Sequence, residues 1–328
     1  MGVTNPLVTI VTVNINRELE LARFFRSILN QSFDNLEIII VDNGSDRSSY
    51  QYLKDKFPSV RFFRLERTIG MVSYNIGMKA ARGDYLIITD NDVIFHDPET
   101  VKQIVSKFSR NPKLAIVACH VVDKLLPGLD VSPAVEKKSD DEEGYKTVEF
   151  HGATFGFKKR IFDEVGGYPH EFRIYMTELA LATKILAAGH EVRFFPEICV
   201  THVGSHKSSV RSMREYYMQK HWLWYNLKYS DAYGVMITTV GLLLRIIQCG
   251  MEKKRSNRRF LDIIRAFIHG WAGSPYMLRR RSKLHSSLMK KIRWLLWMNK
   301  STHSSKSLDR VISRTSKPKA ILSKIRYF

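Results

Sequence analysis

Short β-branched runs alternate with amphipathic stretches through the first half of the chain. Val8 to Val13 (VTIVTV), Leu36 to Val41 (LEIIIV), Val60 to Leu65 (VRFFRL) and Tyr85 to Thr89 (YLIIT) each end at polar or glycine-containing turns, which predicts four strands. Between the first two, Leu19, Ala22, Phe24, Phe25 and Ile28 recur at helical spacing and predict a crossover helix. Strand, helix and strand in this order build βαβ units, so the expected class is α/β: a Rossmann-like, mostly parallel central sheet flanked by helices. Further on, Val148 to Phe157 reads as extended chain, a short helix starts at Lys159, and Gly166-Gly167 makes a turn. A helix from about Met176 to Ala188 is closed by Gly189, and Glu191 to Phe195 is a further strand. The acid-rich segment Asp130 to Tyr145 interrupts the pattern and predicts a surface loop.

Composition adds scale and compartment. A chain of 328 residues with 44% hydrophobic content has enough material for one large domain and an appendage. Cys119, Cys199 and Cys249 are odd in number and lack metal-site spacing, so neither a disulfide framework nor a zinc site is expected. Met1 to Pro6 leads directly into the first strand without the basic and apolar regions of a signal peptide, and a cytoplasmic location is expected.

The net charge of +20 changes the picture only when it is mapped along the chain. Residues 205–328 carry 27 Lys plus Arg against 5 Asp plus Glu, which leaves 25 against 27 in residues 1–204. Basicity therefore belongs to the C-terminal region, and the division expected is a sheet domain over 1–230 and a basic α-helical extension over 231–328.

Ligands of open α/β sheets sit beyond the carboxyl ends of the strands, and here those ends carry Asn14, Asp42 and the triplet Asp90-Asn91-Asp92. Carboxylates held at a sheet edge are hard oxygen ligands suited to Mg2+ or Mn2+ bridged to phosphates. Taken alone, the triplet and the Asp42 to Asp46 segment (DNGSD) are also what ordinary polar turns look like.

The order of segments decides between these readings. VDNGSD at 41–46, GMVSYNIGMKAARGDYLIITDND at 70–92, HGATFGF at 151–157, VGGY at 165–168, a Glu-bearing helix and THVGSH at 201–206 together resemble glycosyltransferase family 2, the inverting group with the GT-A fold. The similarity covers about residues 7–230 and is strongest to rhamnosyltransferase-like enzymes of surface polysaccharide synthesis. The resemblance implies a UDP- or dTDP-sugar donor, with Asn14, Asp42 and Asp46 against the base and ribose. It also implies that Asn75 and Gly77 approach the donor, with Asp90 and Asn91 near its sugar and ribose. Asp92 is implied as the direct metal ligand, completed by His202, with His206 as a weaker rival. Helix entry and packing are equally open roles for Asn75 and Gly77, and Gly152, Ala153 and Gly167 match a framework near the acceptor. The family expects further acids near the general base, whereas this chain reads Tyr175-Met176-Thr177-Glu178-Leu179-Ala180-Leu181, so base catalysis falls to Glu178. The other role for Glu178 is a helix-start glutamate beside a Thr177 cap. A catalytically silent nucleotide-sugar-binding protein of the same fold is the alternative those missing acids suggest.

The C-terminal region offers an aromatic-rich helix with Tyr216, Tyr217, His221, Trp222 and Trp224, then an apolar run from Gly234 to Ile247 that contains Arg245 and falls short of a bilayer span. Two basic amphipathic stripes follow: Phe260, Ile263, Ile264, Phe267 and Ile268, then Leu284, Leu288, Ile292, Leu295 and Leu296 with Trp294 and Trp297 near them. Such helices suit the anionic cytoplasmic face of a membrane, where lipid-linked or glycan acceptors would be met. Packing on the catalytic domain with a solvated basic face is the competing reading. Nucleic acid is disfavoured, because neither an Arg/aromatic stacking surface nor a recognised module is present.

Overall fold

Each strand of the N-terminal region alternates its side chains between two apolar layers, and that alternation builds the core on both faces of one sheet. Val8, Ile10, Ile40 and Ile87 pack on one face with Leu21, Phe24, Ile28, Ile104 and Phe108. Val11, Ile39, Val41, Leu86 and Ile88 pack on the other with Phe155, Phe157, Ile161, Tyr168, Leu181 and Ile185. The structure is a computed structural model that describes residues 5–124, 133, 143–204, 214–251, 257–282, 284, 286–294 and 296. Most of the predicted loop at 130–145, together with His206, Leu295 and Trp297, lies outside the described residues.

The elements of the sheet region are β1 (Val8–Asn14), α1 (Glu18–Leu29), β2 (Leu36–Asn43), α2 (Arg47–Lys56), β3 (Arg61–Leu65), α3 (Tyr74–Ala80), β4 (Tyr85–Asp90), β5 (Val93–Ile94), α4 (Thr100–Arg110), β6 (Leu114–Asp123), β7 (Tyr145–Lys146), β8 (Thr154–Lys158), α5 (Lys159–Val165), α6 (Thr177–Ala187) and β9 (Glu191–His202). The strand order is β3-β2-β1-β4-β8-β6-β9-β5, with β7 paired to β9. Strands β3, β2, β1 and β4 are mutually parallel. Strand β8 runs antiparallel to both β4 and β6, β6 and β9 are parallel, and β5 and β7 are antiparallel to β9. The α/β class therefore holds, while the parallel part of the sheet is narrower than the sequence pattern suggests, because β8 runs against both of its neighbours.

Local chemistry explains the helix that follows β1. Leu21, Phe24, Phe25 and Ile28 of α1 are buried, with Glu18 and Glu20 in its first turn and Arg26 in its last, matching the helix dipole. Leu19, expected on the inner face, is exposed, and Leu21 takes its place. Helix α6 ends at Gly189, whose φ of +83° is the left-handed value that suits glycine.

By its internal packing the chain divides into two compact units, Met1–Arg173 with Thr177–His206, and Ile174–Met176 with Lys207–Phe328. The second unit contains α7 (Arg214–Tyr229), α8 (Ala232–Met251), α9 (Asn257–Ala272) and α10 (Ser274–Arg279), with a further helical stretch at 286–294. Helix α7 falls in this second unit. The apolar run read as too short is corrected: α8 is a 20-residue helix, long and apolar enough by composition to cross a bilayer. In α9, Ile263 and Ala266 are buried and Ile268 is exposed, so Ile268 leaves the expected stripe.

Candidate active site

Strand register brings the polar strand ends together. In the parallel ladders Asn14 stands opposite Asp42, and Val13 opposite Asp90, so three chain segments end at one edge. Short β5 then returns along β9 with Val93 opposite His202, and β6 places Asp123 opposite the same histidine. Asp90, Asp92 and His202 offer ligand atoms that all lie within 4.8 Å of one another.

Asp92 is buried and sits between two cationic groups. One of its oxygens, Oδ2, accepts a 2.7 Å hydrogen bond from the Arg17 guanidinium, and Oδ1 lies 3.2 Å from His202 Nε2. That second approach is an ion-pair distance without hydrogen-bond alignment, leaving Oδ1 buried with no hydrogen-bond partner among the described residues. His202 also places Nδ1 3.2 Å from Asp123 Oδ2 and Nε2 3.9 Å from Asp90 Oδ2. Burial opposes charging of the imidazole, but Asp92, Asp90 and Asp123 overcome it and push its pKa up to about 9. Burial likewise raises Asp90, aided by the neighbouring Asp92 charge, to about 6. For Asp92 the His202 and Arg17 contacts outweigh burial, and its pKa is lowered. A buried carboxylate with an orphaned oxygen, a half-buried second carboxylate and an imidazole fit a hard or borderline divalent cation such as Mg2+ or Mn2+.

Around this group stand residues the sequence reading passed over. Tyr74 donates its hydroxyl to Asp90 Oδ1 at 2.6 Å, fixing that carboxylate. The His151 ring lies 6.2 Å from that of His202, and burial followed by the His202 charge lowers its pKa to about 4. Asp123 ends a strand not recognised from its sequence, and Arg17 lies three residues beyond Asn14 on the same edge. Adjacency to the residues already singled out was the available signal for Arg17 and Tyr74.

At the ends of β1 and β2, Asn91 Nδ2 donates to Asn14 Oδ1 at 2.7 Å, and the Ser45 amide donates to Asp42 Oδ1 at 3.1 Å. Asn14 Nδ2 and Asp42 Oδ2 are left buried without hydrogen-bond partners among the described residues, one a donor and the other an acceptor. Asp46 is exposed at the start of α2, and its backbone amide donates to Asn16 Oδ1. Asn75 is placed differently: both ends of its amide bind the backbone of Tyr168, at 2.8 Å each. A methyl on Gly167 would overlap that same amide, and one on Gly77 would overlap Val11.

Glu178 opens α6 and packs against Gly152, where a Cβ would overlap its Oε1. Thr177 donates its hydroxyl to Glu178 Oε2 at 2.7 Å, so this threonine holds the carboxylate rather than capping the helix. Burial raises the Glu178 pKa, and its charge acts in turn on Asp90 and Tyr168.

A mixed sheet flanked by helices, with an Asp-Asp-His group at its edge, defines the GT-A class of glycosyltransferase folds. Solved neighbours have that fold: a mannosyltransferase from Pyrobaculum calidifontis in complex with GDP-Man and Mn2+ superposes with a TM-score of 0.54 at 16% identity, covering 98% of this chain and 84% of that one. GalNAc-T7, solved with UDP, GalNAc and Mn2+, gives 0.54 at 17% identity over 85% of this chain and 58% of that one. More particularly, residues 9–166 match the model of glycosyl transferase family 2, and this match and the related sequences support that family. The O-antigen chain rhamnosyltransferase RfbN of Salmonella typhimurium is 25% identical over 188 residues, 51% of this chain and 56% of RfbN. A glycosyltransferase of Haemophilus influenzae is 33% identical over 103 residues, 30% of this chain and 41% of that protein. The chain thus spans about half the length of the curated relatives it matches.

Proposed function

We propose that this protein is an inverting glycosyltransferase that moves a sugar from a UDP- or dTDP-linked donor to a hydroxyl of a glycan or lipid-linked acceptor. The setting proposed is cell-surface polysaccharide synthesis on the cytoplasmic face of the membrane, with the basic second unit making the peripheral contact. One observation carries the reading: Glu178, a half-buried carboxylate with a raised pKa, acts electrostatically on Asp90, which groups with Asp92 and His202.

Asp42 Oδ2 and Asn14 Nδ2 supply an unused acceptor and an unused donor, the pair a uracil or thymine needs for its ring N–H and carbonyl. Asp46 and Asn91 complete that side, Asp90 is held by Tyr74 toward the donor sugar, and Asn75 supports the pocket through Tyr168. Asp92 and His202, with Asp90 beside them, would hold Mg2+ or Mn2+, which when bound neutralises the diphosphate leaving group. Glu178 takes the proton of the acceptor hydroxyl as its oxygen bonds to the anomeric carbon. The bond from that carbon to the phosphate oxygen breaks, and the nucleoside diphosphate departs with the bonding pair. A single displacement of this kind inverts the anomeric centre.

The test is a donor panel with the purified chain, comparing wild type with Glu178→Gln and Asp92→Ala. Glu178→Gln is expected to stop transfer while retaining UDP binding, and Asp92→Ala to remove metal-dependent activity. Normal turnover by the Gln variant overturns the base assignment. Wild-type protein that binds UDP with metal yet transfers nothing supports the silent binding protein instead.

A further inference from the structure

Helix α8 is polarised the wrong way round for a helix that meets water. Its outward positions are Tyr233, Met236, Val240, Leu243, Ile247 and Met251, each between 42% and 67% exposed. Their spacing of three or four residues draws a continuous apolar stripe about 27 Å long at 1.5 Å per residue. Most of what turns inward is small or polar: Gly234, Thr238, Gly241 and Cys249 are buried beside Leu242, and Arg245 pairs with Glu215 of α7. A solvated helix would place Arg245, Thr238 and the other polar groups outside, so this face is built to meet something apolar.

Charge selects the occupant. With 27 Lys plus Arg against 5 Asp plus Glu over residues 205–328, a second copy of this unit would be repelled, whereas an anionic lipid surface would be attracted. Basic residues follow the stripe directly in sequence, at Lys253, Lys254, Arg255, Arg258 and Arg259. Helix α8 also packs along one side on α7 and α9, so it offers hydrocarbon a single face rather than its whole circumference. We propose that α8 lies in the plane of an anionic membrane, with the Tyr233 to Met251 stripe sunk among the acyl chains. This deepens the membrane part of the proposed function and is independent of the catalytic chemistry.

Flotation of the full-length protein with phosphatidylglycerol-rich and with phosphatidylcholine vesicles tests it, using wild type and the double variant Val240→Glu/Ile247→Glu. Both positions are exposed, and near-UV circular dichroism with UDP binding reports whether the variant is folded; Val240→Ser/Ile247→Ser is the milder second pair. Wild type is expected to float with the anionic vesicles and the Glu pair to lose partitioning by roughly tenfold or more, with UDP binding retained. Unchanged flotation of both variants, or wild type that ignores anionic vesicles, overturns the proposal. So does a wild-type dimer that the substitutions dissociate, because a second copy would then own the stripe. Loss of transfer activity with intact flotation would count against the catalytic reading alone.

Discussion

Asp123 and His202 face one another across the β6–β9 ladder, and the Asp123 carboxylate lies 3.2 Å from the imidazole nitrogen that points away from Asp92. A carboxylate in that position fixes the ring's orientation and directs Nε2 to the candidate metal site, as second partners of histidine ligands commonly do. Asp123→Asn is expected to weaken Mn2+ binding about 10- to 100-fold, read by calorimetric titration in the presence of UDP. Affinity equal to that of wild type would reduce Asp123 to a strand-end residue.

Gly152 and Glu178 are packed too closely for any larger residue at 152. Gly152→Ala should push the carboxylate from its place and, with Glu178 as the proposed base, lower kcat by about 100-fold, the scale of a reacting group misplaced by about 1 Å. Affinity for the donor nucleotide should stay close to wild type. A variant that loses nucleotide affinity and keeps kcat would show that Glu178 is not the group being moved.

Asn75 straps the Tyr168 backbone by both ends of its amide. Removing it in Asn75→Ala leaves a buried amide and carbonyl unsatisfied, at about 2–3 kcal/mol of unfolding free energy in chemical denaturation. Full stability together with lost UDP affinity would return Asn75 to direct donor binding.

Glu37 gathers the Thr9 hydroxyl, the Arg82 backbone amide and the Arg61 and Arg82 guanidinium groups. Burial acts to raise its pKa, but these partners overcome it and lower the value from 4.5 to about 2. Because the folded value lies below the unfolded one, the stabilisation is fully present above pH 4.5 and fades as pH falls toward 2. Glu37→Gln should therefore cost on the order of 1–2 kcal/mol at pH 7, a magnitude kept modest by the exposure of Arg82. The gap to wild type should narrow in denaturation curves recorded at pH 3. A gap that is constant across that range would exclude linkage through Glu37.

Period-two runs made β1, β2, β3 and β4 legible because their two faces pack into different apolar layers, and Asn14, Asp42 and Asp90 followed from where those runs stop. Strand β6 was harder to recognise: LAIVACHVVD is buried on both faces and shows no alternation. With β6 unseen, Asp123 could not be placed, nor its meeting with His202 foreseen. Arg17 escaped for another reason, since its contact with Asp92 spans 75 positions and leaves no periodic trace. The outward stripe of α8 was visible as apolar content, but only packing reveals which side of the helix it occupies.

The pairing of Val93 with His202 has a consequence for how this chain tolerates change. Since Asp92 and His202 are aligned by backbone ladders, inserting or deleting one residue within β5 or β9 would swing a ligand to the opposite side of the sheet. Connections outside those ladders are free of that constraint. Length variation among natural or engineered versions should therefore gather in the links and spare these two strands, however far their other side chains drift.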